Sequence, residues 1–518
     1  MPPANIKITP RPSAVLFASL AILMVITSYV LVILLSVACV YLPYLAISAS
    51  TSFPFQLAIL FLGGSAIAGA MLWSLLPRRD NFEPPGPSLD RTSHPKLFDE
   101  LDGIAAALNE PVPREVYLLG QVNAFVADRG GIMGFGSRRV MGIGLPLLSI
   151  LTVSELRGVL AHEFAHYYSG DTRLGPWVYK TQSAMIRTFE NVGKLGSVGR
   201  VAAFQMMHLA VTFVLKQYFV SFLRVIHWVS RRQEYRADEL AGLVAGARPL
   251  VEGLRKTHGA SLAWQVYWNA EVIPVLQWDC VPPVGDGFAR FLAAPQIAVQ
   301  VSHGIEQEIL QGKTSPYDTH PPLRDRISAL ERLSTSSRED DPELASSLMN
   351  SVESAEIQFL EFLNLKKPIS SLRRVGWDEI ADQVTIPSWK SAVNQYASFF
   401  QGVMTESLPE IVKKFPEMAS SIRDPKGRLF TPQQRTYRVG HLFAMALGLS
   451  LLERWWKLEA QPGSFYLYRG AEKMDVVSAI GDLVAGNMSR DDWIVLCNRL
   501  EISQVVLASP SSGSEATA

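Results

Sequence analysis

The sequence predicts a mostly α-helical protein with a small β-sheet: two transmembrane helices at the N-terminus, a helical domain built around the sheet, and an α+β domain at the C-terminus. Three observations predict this. The first 80 residues hold two long apolar runs almost free of charge. Residues 115–144 string short β-rich segments between glycines, and much of the remainder repeats apolar residues at helical spacing. A length of 518 residues is too great for one ordinary domain and enough for two or three. Lys+Arg and Asp+Glu balance at 48 each, so no global charge argues for a nucleic-acid partner. Cys39, Cys280 and Cys497 form no CxxC pair and no disulfide framework.

The apolar runs place spans at about 14–42 and 54–77, each reaching the roughly 20 residues a helix needs to cross a bilayer. A cleaved signal peptide fits less well, because the first run is too long and a second comes at once. Pro43 and the polar SASTSFP stretch are expected to turn the chain between them. Lys7 and Arg11 precede the first span, Arg78 and Arg79 come after the second, and the turn has no Lys or Arg. The positive-inside rule then puts both ends, and the whole chain beyond residue 80, on the cytoplasmic side; in a bacterium this is the inner membrane. Ser65 and Gly69, four apart, are small enough to let the spans pack closely.

Residues 81–95 are Pro-rich and polar and read as a linker. Leu97, Leu101, Ile104 and Leu108 give a helix over 95–108, stopped by Asn109 and Pro111. EVYLLG, NAFVAD and RRVMGIG read as strands, with the glycines of GGIMGFG forming a hairpin turn rather than a phosphate loop. Thr152 and Glu155 make a capping box for the next helix, whose apolar face is Leu156, Val159, Leu160, Phe164 and Tyr167, with Gly170 as its stop. These elements set the domain boundaries: 1–80 membrane helices, 81–95 linker, 95–340 central domain, 345–507 C-terminal domain, and a small, polar, disordered tail over 508–518.

The helix after Thr152 contains HEFAH. His162 and His166 lie on one face and can aim at one ion, while Glu163, offset by one residue, can reach a water bound to that ion. This is the pattern of two zinc ligands and a general base. The bland reading is a helix with two partly exposed histidines. A catalytic zinc needs a third protein ligand and one open position. A third histidine six residues on, with a glycine midway, is absent, since those positions are Thr172 and Ser169. Glu234, in the helical cluster of 231–246, is the best candidate. Asp238, four residues on and on the same face, is placed to accept the spare N–H of a ligand histidine.

VLAHEFAH, EYRADELA and DTHPPLRDRISAL occur in that order, and together they resemble the HtpX-type membrane zinc metallopeptidases, the family that includes the CaaX prenyl endopeptidase. The resemblance covers roughly residues 90–335. It implies a gluzincin-like fold with one Zn2+ held by His162, His166 and Glu234, and Glu163 as general base acting on the zinc-bound water. It further implies that His320 stabilises the oxyanion of the tetrahedral intermediate and that Asn123, Ala124 and Phe125 form the strand before the active helix; Asp171, five residues after His166, either stands behind the ligands or merely ends the helix. As an edge strand, this segment would pair with the substrate backbone.

The chain departs from its relatives between the ligand helices. Residues 201–229 are apolar but interrupted by His208, Lys216, Arg224 and His227. His166 and Glu234 must share one ion, so an even number of crossings lies between them. Residues 172–200 look too polar to span, which predicts a long helix buried or lying on the membrane surface. The expected function is a membrane-anchored zinc endopeptidase acting on protein or peptide substrates, membrane proteins among them, in quality control or processing. The alternative is a catalytically idle membrane scaffold or sensor working through the C-terminal domain. HLFAMALGLSLL (441–452) is too short to span and reads as a core helix.

Overall fold

A computed structural model describes residues 12–50, 55–76, 78–131, 136–168, 175–196, 201–312, 318, 320–333, 339–365, 367–422 and 431–507. Lys7, Arg11, Gly170, Asp171 and the 508–518 tail lie outside the described residues. The chain forms two compact units, Met1–Ser261 with Ser302–Phe362, and Leu262–Val301 with Leu363–Ala518. This division cuts across the expected boundary near 340, because residues 262–301 cluster with the C-terminal segment.

In the first unit, α1 (Pro12–Ser48) and α2 (Phe55–Leu75) pack side by side. α1 continues through Pro43 to Ser48, so Pro43 does not begin the turn. A proline inside an apolar helix loses one backbone donor, which the surrounding helical bonds tolerate. The close approach also differs from expectation. A Cβ at Gly64 would overlap the Cys39 carbonyl oxygen, whereas one at Gly69 would meet open space. Helical phase puts Gly64, rather than Gly69, on the face toward α1.

The expected linker is stitched into the sheet. β1 (Ser88–Leu89) pairs antiparallel with β2 (Glu115–Leu119), and β2 runs parallel to β4 (Arg138–Gly144). β3 (Ala124–Arg129) pairs antiparallel with β4, forming the predicted hairpin, and the sheet order β1-β2-β4-β3 leaves β3 at an edge. The predicted helix over 95–108 is α3 (Pro95–Leu108), ended by Asn109 in the left-handed conformation at φ 52°. α4 (Leu145–Ile150) leads into α5 (Val153–Tyr168), the HEFAH helix. Its capping box is present: Glu155 N–H donates to Thr152 Oγ1 at 3.2 Å and Thr152 N–H to Glu155 Oε2 at 2.8 Å. All five residues of its expected apolar face are buried.

α6 (Gly175–Gly196) and α7 (Ala202–Ala245) form an antiparallel hairpin against α1 and α2. Val32, Cys39, Ile67, Met71, Val192, Phe204, Val211 and Leu215 join the four helices in one apolar cluster. Residues 172–200 are, as expected, too polar to give a candidate span among the described residues, yet α6 packs against the apolar helices. α6 buries Thr181, Ala184, Met185, Thr188 and Val192 on one face. Two of its polar side chains donate to α2: Arg187 Nη2 to the Ser74 carbonyl at 3.0 Å, and Asn191 Nδ2 to Ser74 Oγ at 2.9 Å. The chain leaves the HEFAH helix along α6 and returns along α7, so His166 and Glu234 end at the same level. Among the described residues, three helices are long and apolar enough to cross a membrane: α1, α2 and α7. Length and composition thus place α7 with the candidate spans, not with surface helices.

α8 (Ala247–Tyr267) carries the chain into the second unit, and α9 (Ile273–Gln277) and α10 (Val284–Ala293) come next there. α11 (Pro295–Gln311) returns to the first unit, which closes with α12 (Leu323–Leu330) and α13 (Val352–Phe362). The second unit is built on the helix Pro432–Leu452, started by a Thr431–Gln434 capping box and buried along most of its second half, as read from HLFAMALGLSLL. A meander of Lys457–Gln461, Ser464–Arg469 and Glu472–Met474 and two further helices complete an α+β core. Tyr267, Phe288, Phe291 and Trp377 form a second aromatic cluster, with Trp377 Nε1 donating to the Pro283 carbonyl at 2.8 Å.

Candidate active site

α5 and α7 pack along each other, which brings the two halves of the expected ligand set together. His162 Nε2 lies 3.4 Å from Glu234 Oε2, and His166 Nε2 lies 3.4 Å from Glu234 Oε1. One donor atom from each of the three residues falls within 4.8 Å of the others. Asp238 Oδ1 sits 2.9 Å from His162 Nδ1, one turn beyond Glu234 on the same face. The Nδ1 proton therefore points at Asp238, and Nε2 faces Glu234 and His166.

Asp238 is itself held. Arg326, at the start of α12, donates from Nε at 2.8 Å and Nη2 at 2.7 Å in a two-point fork. All three members, His162, Asp238 and Arg326, are buried. Arg326 belongs to the DRI stretch of the third motif, but its local sequence gives it no role. Its partner is 88 residues away in sequence, so only folding shows that it locks Asp238 and, through Asp238, the His162 ring. His320, on the loop before α12, places Nδ1 2.9 Å from Glu234 Oε2, with its side chain 63% exposed. That contact lacks hydrogen-bond alignment, and Glu234 Oε2 is buried with no aligned donor.

The donor set fits a zinc ion. Two imidazole nitrogens and one carboxylate are a catalytic-zinc donor set, and ligands at about 2.0–2.1 Å in a tetrahedron stand about 3.4 Å apart. The observed His–Glu separations match, and a cation would satisfy the orphaned Glu234 oxygen.

Electrostatics separate the three residues of the motif. Burial disfavours charge on His162, but the adjacent Asp238 and Glu234 carboxylates outweigh it and raise its pKa to about 9. Burial pulls His166 down to about 4, helped by repulsion from His162. Glu163 is pushed up to about 7 by burial, a shift that the His162 charge opposes and the Glu234 charge reinforces.

Ala124 and Phe125 open edge strand β3, with Asn123 just before it. The Gly144 N–H donates to the Asn123 carbonyl at 2.9 Å. In the antiparallel pattern, Asn123 and Phe125 then face β4, and the backbone groups of Ala124 and Val126 face the free edge. The Asp128 backbone, of the same outward parity, hydrogen-bonds Tyr167 on α5, which aligns the edge with the HEFAH helix.

Comparison with known proteins agrees with this geometry. Residues 92–334 match the model of peptidase family M48. An HtpX protease homologue of Syntrophobacter fumaroxidans is 27% identical over 255 residues, covering 47% of this chain and 77% of that protein. A homologue from Pseudarthrobacter chlorophenolicus is 26% identical over 247 residues, 46% of this chain and 72% of its own. The HtpX protease of Pseudomonas putida is 24% identical over 234 residues, 43% and 69% of the respective chains. No solved structure matches. Over residues 92–334 the chain is therefore a peptidase family M48 domain, similar over that region to the HtpX proteases.

Proposed function

We propose that this protein is a membrane-anchored, zinc-dependent endopeptidase whose active site faces the cytoplasm. The observation that carries the reading is the His162–His166–Glu234 group backed by the Asp238–Arg326 pair, because a buried pair aimed at one imidazole nitrogen serves a ligand histidine. Zinc held there would acidify a water molecule and polarise the scissile carbonyl. Glu163 takes the proton of the attacking water and delivers it to the leaving amine. Its pKa near 7 suits both transfers, since the group must hold and release a proton in one cycle. His320, exposed beside Glu234, donates toward the carbonyl oxygen as negative charge develops. The free edge of β3 pairs with the extended substrate backbone, so main-chain hydrogen bonds fix register with modest side-chain preference.

The substrates we infer are proteins or peptides, membrane proteins among them, in quality control or processing. The apolar α1 and α2 and the Arg78–Arg79 flank support the bilayer anchoring and the cytoplasmic side. The test is casein cleavage and self-cleavage by detergent-purified protein, wild type against Glu163→Gln, with zinc content read on the same samples. The reading expects about one zinc in both and cleavage only in the wild type. Zinc without turnover in the wild type would favour the scaffold alternative, and absence of zinc in both would end the metallopeptidase reading.

A further inference from the structure

A pocket of about 210 Å³ opens at the foot of α2, away from the zinc-type ligand group. Its wall carries Arg78 and Arg79 from the segment leaving α2, Lys180 and Arg187 from α6, and Arg129 from the end of β3. Against these five cations stand two carboxylates, Asp80 and Asp128. Asp80 is already engaged, accepting Arg129 Nε at 2.9 Å, Arg129 Nη2 at 3.1 Å and the Gly130 N–H at 2.8 Å. Asp128 faces Arg139 at 3.9 Å. Among the described residues, no ion pair ties Arg78, Arg79, Lys180 or Arg187.

Basic residues flanking a span ordinarily point into water and need no ligand. This cluster differs in three ways. It lines a concavity rather than a convex rim. Arg78 lies close enough to Arg187 to repel it, with Glu190 the nearby opposing charge. Arg187 is half-buried, and its Nε is buried without a partner even though Nη2 is used by Ser74. Like charges gathered around a partly desolvated hollow are costly until an anion fills it. The remaining wall is membrane-side: Leu75 and Leu76 end the apolar run of α2, and Tyr29 comes from α1.

We propose that this pocket binds a phosphate-bearing anion, supplied by the headgroup of an anionic phospholipid in the leaflet facing the peptidase domain. Guanidinium forks and a lysine suit phosphate oxygens, and the level of the pocket, at the end of α2, is the level of headgroups. The site rests on the reading that α1 and α2 lie in a bilayer. A headgroup there bridges α2 and α6 to Arg129, the last residue of β3, and so ties the substrate-pairing edge to the membrane.

The test is native mass spectrometry of the full-length protein with equimolar phosphatidylglycerol and phosphatidylcholine. Wild type is compared with the Arg78→Gln/Arg79→Gln double variant and with Lys180→Gln, zinc content reporting that each retains its fold. Wild type should retain phosphatidylglycerol at least about fivefold over phosphatidylcholine, and the double variant should lose that preference with zinc intact. Equal retention of the two lipids by wild type, or a preference unchanged in both variants, overturns the site. Displacement of the lipid by millimolar inorganic phosphate overturns the headgroup as occupant and assigns the pocket to a soluble phosphate. Protein that stays monodisperse without detergent overturns the membrane reading itself, which is a separate failure.

Discussion

Glu163 is the residue whose chemistry is most exposed to test. Removing its charge while keeping its shape, in Glu163→Gln, should leave zinc bound and reduce the cleavage rate by about 10²–10⁴-fold, the usual worth of a general base. The same residue sets the pH dependence. A carboxyl must be ionised to accept a proton, and burial places its pKa at about 7 in the metal-free site, with a bound cation pulling it lower. The rate is therefore expected to fall on the acid side with a midpoint between about 5 and 7, and a flat profile of kcat/KM from about pH 5 to 8 would contradict the assignment. His162 points the other way. It holds a proton up to about pH 9 in the metal-free site, so zinc must displace that proton. Calorimetry at neutral pH in buffers of different ionisation enthalpy should show about one proton released per zinc bound. Asp238→Asn tests the support behind the ligand: it removes the charge that Arg326 and His162 share, and zinc affinity measured against a chelator should drop about 10–100-fold.

At the scale of elements, two close approaches carry the architecture. α1 and α2 meet where Gly64 faces the Cys39 carbonyl. Gly64→Leu must push the helices apart, because backbone on the far side cannot rotate away as a side chain can. Its thermal midpoint in detergent should fall, while Gly69→Leu, facing open space, should leave it unchanged. The other element is β3. Val126 turns its backbone toward the free edge, so Val126→Pro removes one outward donor and spares the β4 ladder. The reading of β3 as the substrate strand expects KM for an unfolded protein substrate to rise severalfold with zinc content unchanged. A KM equal to wild type would place the substrate elsewhere.

At the scale of the whole molecule, the peptidase motif and the C-terminal segment are interleaved. The chain enters the second unit through α8 and leaves it through α11, so residues 262–301 belong to a core completed only by the chain beyond residue 362. Tyr267, Phe288 and Phe291 pack with Trp377. Truncation after Phe362 strips that partner while leaving the other aromatic residues behind. The shortened protein is expected to aggregate or to melt well below wild type by light scattering and thermal denaturation.

Local rules settled the features that depend on near neighbours. The two apolar runs, the capping box of Thr152 and Glu155, the hairpin of β3 and β4 and the pairing of His162 with His166 are all decided within a few residues, by helix periodicity, turn chemistry and side-chain spacing. Glu234 and Asp238 were legible because their spacing of four residues complements that of the histidines. Tertiary structure alone decided the rest. Arg326 reaches Asp238 across 88 residues, and no local pattern encodes that distance. The polarity of α6 rules it out as a span, and only the fold shows that it packs on the apolar helices, where Ser74 accepts two of its donors. Residues 262–301 change partners for the same reason: which apolar face meets which is a property of the packed chain, and hydropathy measures only that a face must be buried.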